Sequence, residues 1–135
     1  MTGWYLSLLG DYRKAGLQCA AALESARHHR QVEDEGLVLG IMGYIAHHTG
    51  EHTSAVEHLK QAGALLREVG NTYYEATVQD QLGQTYEALG DTESARNAWQ
   101  QALQLYETQH RTVDAERIHR QLGWRENARA TPGPR

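Results

Sequence analysis

Eight histidines in a chain of 135 residues are the first side chains to raise the question of chemistry. Two adjacent pairs, His28-His29 and His47-His48, invite a metal reading. A structural or catalytic zinc needs three or four such side chains converging on one point. Neighbours on a helix diverge by about 100°, and the two pairs are expected toward opposite ends of antiparallel helices, so no set of three is expected to converge. No HExxH spacing occurs, and the histidines read as surface residues without a metal. The acidic run Glu33-Asp34-Glu35 is explained by the start of a helix, where negative charge meets the positive end of the dipole. No glycine-rich loop cradles a phosphate and no serine or cysteine sits in a strained elbow. Neither a cofactor nor an enzymatic activity is expected.

The bulk properties narrow the field further. A net charge of −4 offers no broad positive field for a nucleic-acid backbone. The single cysteine, Cys19, rules out an internal disulfide framework and reads as a small buried hydrophobe. No apolar run approaches the roughly 18 residues of a membrane span, and residues 4–9 lack the basic flank of a secretion signal. A cytoplasmic location is the expectation.

The elements that would position any site repeat along the chain. Gly3, Gly43, Gly83 and Gly123 fall 40 residues apart, as do Gly10, Gly50 and Gly90. Ala15, Ala55 and Ala95 form one further series, Ala22, Ala62 and Ala102 another, and Cys19, Leu59 and Trp99 fill a bulky slot between them. A period between 20 and 50 residues signals stacked units. A glycine inside a helix costs about 1 kcal/mol relative to alanine, so Gly43 and Gly83 imply places where helices press together. Gly90 instead suits a helix end, with Asp91 or Thr92 capping the next helix.

Taken in order, residues 1–30 read as an incomplete first unit: the end of one helix, a turn at Gly10, then a helix over 11–30 with Ala15, Cys19, Ala22 and Ala26 on one face. The ragged start suggests a piece of a longer protein. Units follow at 32–69 and 72–109, and a capping helix at 112–127 completes a helical domain over 1–127. The proline-containing tail 128–135 is expected to be disordered. Val38, Ile41, Met42 and Ile45 would face inward in the second unit, where Gly63 replaces the leucines at positions 23 and 103 and should loosen the packing. In the third, Thr72 and Glu75 have capping-box spacing, and Val78, Leu82 and Tyr86 would face the partner helix.

Leu82, Gly83, Tyr86, the Gly90-Asp91 turn, Ala95, Trp99 and Ala102 together resemble the tetratricopeptide repeat (TPR). The period departs from the usual repeat of about 34 residues, and such long repeats look like the C-terminal arms of large actinobacterial regulators of the SARP and NB-ARC (STAND) type. The resemblance implies an all-α, right-handed α-solenoid of about three helix pairs plus the C-terminal capping helix. It also implies a concave groove lined by the first helix of each pair. Residues beside the lattice glycines would point into it: Trp4, Tyr44, Gln84 and Trp124 in one row, His47 and Glu87 a turn later, Gly40, Asp80 and Arg120 a turn earlier.

The function expected is therefore non-enzymatic: a protein–protein interaction module, an arm of a larger regulatory protein, holding a protein or peptide in that groove. Two alternatives stand beside it. One is a receptor domain for a small signalling peptide or ligand. The other is self-association into a homo-oligomer through the incomplete N-terminal unit.

Overall fold

The computed structural model describes the backbone of residues 2–130 and the side chains of residues 10–123. Six helices follow one another: α1 (Thr2–His28), α2 (Val32–His48), α3 (His52–Glu68), α4 (Thr72–Ala88), α5 (Thr92–Thr108) and α6 (Thr112–Ala130). No strand occurs among the described residues. The chain is an all-α helical-repeat solenoid in which α2 pairs with α3 and α4 with α5, with α1 and α6 on the flanks.

The turns set the metre. From α2 to α5 every helix has 17 residues, and left-handed backbone recurs at Arg30, Gly50, Gly70, Gly90 and His110. At each of these helix ends the amide one residue further on bonds back to a carbonyl five residues earlier, as in Glu51 to Ala46, Asn71 to Leu66 and Asp91 to Tyr86. That closure satisfies carbonyls which would otherwise lack partners. Glycine bears the conformation without strain at three of the five positions; Arg30 (φ 54°) and His110 (φ 58°) do not have that freedom.

Gly10 lies on the same beat but makes no turn: α1 runs through it unbroken. Continuing the helix keeps the backbone bonded. The caps also differ in part from expectation. Asp91 caps α5 by accepting from the Ser94 amide (3.1 Å), but at α4 the cap is Asn71, accepting from Tyr74 (3.2 Å). Glu75 does not reach back to form a box with Thr72, because its carboxylate is held by Arg67 across the turn (2.8 Å).

Packing explains the lattice. A side chain on Gly43 would meet Leu59 at 2.5 Å, and one on Gly83 would overlap the Trp99 ring. Ala55, Ala62, Ala95 and Ala102 are fully buried between helices. At the flanks the rule lapses. Gly123 faces nothing within 4 Å, Ala15 and Cys19 are half-buried and Ala22 is exposed, since α1 packs on α2 alone. Gly3 lies outside the described side chains. Gly63 leaves no looseness either, for Val78 and Gln79 of α4 close on it at 3.4–3.6 Å.

Periodicity placed two buried faces only in part: Val38, Met42 and Tyr86 pack against the core, and Val78 and Leu82 are buried. In α2 the inward positions are Gly36, Leu39, Gly43 and Ala46, while Ile41 is 51% exposed and Val38, Met42 and Ile45 are half-buried. The helix is apolar nearly all round, so its small residues and not its large ones decide which side a neighbour can approach. Val78 turns back toward Gly40 and Gly63 and not toward α5; it is Gly83 that meets Trp99 there. The expected tail begins inside α6, which extends to Ala130, and its remainder lies outside the described residues.

Candidate functional site

One side of the solenoid brings first helices together. The backbones of α2 and α4 approach each other directly, whereas α3 and α5 meet only through side chains such as Arg67 and Gln101 (3.5 Å), so the α2–α4 face is the inner one. The approach is made at Gly40, whose missing side chain would find only Val78, at 3.5 Å. A groove of about 330 Å³ opens there. Gly36, Gly40 and Val78 form its floor, with Leu37, Ile41 and Tyr44 on one wall and Tyr74 and Thr77 on the other. Ile41, Tyr44 and Tyr74 are 51%, 42% and 48% exposed. Large apolar residues grouped around one depression are unusual on a free surface and mark contact sites.

The groove continues into a polar chamber of about 230 Å³ that shares Tyr44, Thr77 and Gln81 with it. Asp80, only 5% exposed, organises this end. Its carboxylate accepts from the Tyr106 hydroxyl (2.9 Å), from Gln84 Nε2 (3.3 Å) and from both terminal nitrogens of Arg117. A planar guanidinium facing a carboxylate in this way is a strong, directional pair. Burial and the adjacent Asp80 charge push the Tyr106 phenol well above its usual range, so it stays a donor. Arg111 is sandwiched between the rings of Tyr73 (4.0 Å) and Tyr106 (4.4 Å) and is tied to Asp114 (3.3 Å). The α5–α6 turn is thus fastened to the start of α4, with Gln109 donating to the Thr72 carbonyl and Arg111 to that of Tyr73.

On the α2 wall, His47 Nδ1 lies 3.0 Å from Thr85 Oγ1. Thr85 spends its only proton on the Gln81 carbonyl (2.8 Å), so Nδ1 must be the donor and Nε2 carries the lone pair. Burial first, then the charges His48 and His52 would carry, hold the His47 imidazole below its ordinary value. His47 sits 5.1 Å, ring to ring, from both His48 and His52. His52 reaches His47 because it comes back across the α2–α3 turn. Among the described residues no group of three His, Cys, Asp or Glu side chains is placed to hold a metal ion.

The structure brings together Tyr44, His47, Asp80 and Gln84 of the anticipated residues, with Gly40 beneath Tyr44. Glu87 and Arg120 are exposed and line neither chamber; it is Arg117, one turn before Arg120, that pairs with Asp80. Trp4 and Trp124 lie outside the described side chains. Asp80 is not the free wall charge that its row position suggested, since its oxygens are already occupied.

Residues 34–108 match the sequence model of the tetratricopeptide repeat. The chain belongs to the tetratricopeptide repeat family. A search of curated proteins returned no match. Tetratricopeptide repeats are a non-enzymatic scaffold fold that generally mediates protein–protein interaction, and no described helix here is long and apolar enough to cross a membrane. Within this TPR array, Ile41, Tyr74 and Arg111 are the groove residues that the lattice did not select. Ile41 was assigned to the core, and Tyr74 and Arg111 lie at helix starts, off the rows drawn from the glycines.

Proposed function

We propose that the inner face of α2, α4 and α6 receives a peptide segment of a protein partner, and that the array works as the interaction arm of a larger regulatory protein. The carrying observation is the apolar groove itself: a glycine floor walled by half-exposed Ile41, Tyr44 and Tyr74. Aromatic and branched side chains around a closed floor supply affinity at low entropic cost, and a polar rim fixes register. The long repeat period, similar to that of actinobacterial regulator arms, supports the wider setting.

Selection of a displayed peptide library on the immobilised chain tests the reading. Selected peptides should lose binding by about tenfold or more to an Ile41→Asp variant, because Ile41 is half-exposed and its replacement leaves the core intact. Peptides that bind both proteins equally would remove the groove from the account.

Self-association has an observation of its own. Leu17 is 69% exposed and Ala22 is uncovered on α1, whereas the equivalent Ala62 and Ala102 are buried. A second copy laid on α1 would restore that burial. Sedimentation over a concentration series would show a dimer removed by Leu17→Glu, and a monomer at all concentrations would dismiss this second reading.

A further inference from the structure

We infer that the peptide taken by this groove pairs an apolar anchor with a neighbouring cationic side chain, arginine or lysine, and that acidic segments and free carboxyl termini are rejected. The inference rests on the groove reading above and adds the chemistry of the occupant.

The argument is an inventory of what the polar chamber has left to offer. The arginine on its wall, Arg111, is already engaged with Asp114, the Tyr73 carbonyl and Gln109 Oε1, and Arg117, which backs the chamber's Asp80, is held by Asp80 and Asp114. The Tyr106 hydroxyl proton goes to Asp80 and the Thr85 proton to Gln81. A carboxylate entering here would find both arginines engaged and would sit beside two carboxylates, Asp80 and Asp114, on the chamber wall. Like charges brought together out of water repel, and desolvating an anion is costly.

Acceptors, by contrast, remain. Gln81 Oε1 is buried with no hydrogen-bond partner among the described residues, and Gln81 lines both the apolar groove and the polar chamber. Gln84 is exposed and gives its nitrogen to Asp80, which leaves its amide oxygen to accept. His47 has Nδ1 bound to Thr85, so its Nε2 can accept only. Asp114 keeps about a third of its side chain exposed, at 36%. Three neutral acceptors and a partly exposed carboxylate beside a ring-lined wall fit a long side chain that ends in several N–H donors. The apolar groove is continuous with this chamber through Tyr44, Thr77 and Gln81, so anchor and cation belong to one strand of peptide.

The test uses short acetylated and amidated peptides in a glycine-serine frame. Each carries a leucine pair as anchor and an arginine moved one position at a time; matched peptides replace the arginine with norleucine or glutamate, or carry a free C-terminal carboxylate. Fluorescence polarisation against the full chain should give the best arginine peptide an advantage of about tenfold over its glutamate twin, with norleucine between. Gln84→Lys, at an exposed position whose helicity is checked by circular dichroism, should abolish that preference. Glutamate or carboxylate peptides that bind as well as arginine ones, or a preference that survives Gln84→Lys, would overturn the inference while leaving the groove in place. If no leucine peptide binds at any arginine position, the inference and the groove reading fall together.

Discussion

The indole of Trp99 occupies the space in which a side chain on Gly83 would have to lie. A Cβ built on Gly83 would overlap Trp99 Cδ1 and Nε1 and come within 2.7 Å of Cε2. Trp99 is fully buried, so the ring has no room to retreat. The same relation joins Gly43 to Leu59 at 2.5 Å, and these two contacts hold the α4–α5 and α2–α3 hairpins closed.

Gly83→Ala should therefore destabilise the protein. Helix propensity alone favours alanine by about 1 kcal/mol, but overpacking a rigid ring costs about 1–3 kcal/mol, and the net loss expected by urea unfolding is up to about 2 kcal/mol. Gly43→Ala should also destabilise, because Leu59 is fully buried as well. A gain in stability at position 83 would refute the close-contact explanation of the lattice.

Arg30 and His110 hold left-handed backbone that glycine holds at the equivalent positions 50, 70 and 90. Arg30→Gly and His110→Gly should each stabilise by about 0.5–1 kcal/mol, since relief of the strained conformation outweighs the added freedom of the unfolded chain. Gly70→Ala should do the reverse. Melting temperatures of the three variants settle the matter.

Asp80→Asn removes the charge that Arg117 and Tyr106 share. A loss of about 2 kcal/mol is expected for a largely buried pair with one partly exposed partner. Hydrogen exchange should quicken first in α6, which leans on α4 through this contact; uniform quickening across all helices would deny the contact that role.

His47 is held below its ordinary value by burial and by His48 and His52. A base whose folded pKa is depressed binds fewer protons than the unfolded chain does. Stability is thus intact above about pH 6.5 and is lost as the pH falls through the folded value. His47→Gln, which keeps a donor toward Thr85, should flatten the fall in melting temperature between about pH 7 and pH 5. An identical pH profile in the variant would show that His47 is not the group responsible.

Much of the fold was legible because backbone contact leaves a mark in residue type: Gly43, Gly83, Ala55 and Ala95 can be nothing larger where helices press together. The turns at Gly50 and Gly90 were legible for the same reason. Those at Arg30 and His110 were not, because there the hydrogen bonds of the helix end impose the conformation on residues that do not announce it. Gly10 shows the converse, a glycine on the turn series through which α1 runs unbroken. Of the site, the rows through Tyr44 and Gln84 could be drawn from the lattice. Ile41 could not be placed, since α2 is apolar on every side and only the depth of Gly36, Leu39 and Gly43 reveals which side is covered. Arg117 and Arg120 differ by one turn, and only the position of Asp80 chooses between them.

Gly40→Leu separates the groove from the fold most directly. A Cβ at this position meets only Val78, at an ordinary contact distance of 3.5 Å, so a leucine side chain should extend from there into the groove, raise helix propensity by about 0.5–1 kcal/mol and fill the floor between Ile41 and Tyr74. The account predicts a protein at least as stable as the parent that no longer binds peptides selected on the parent, measured by calorimetric titration. Undiminished binding by a folded Gly40→Leu protein would contradict it.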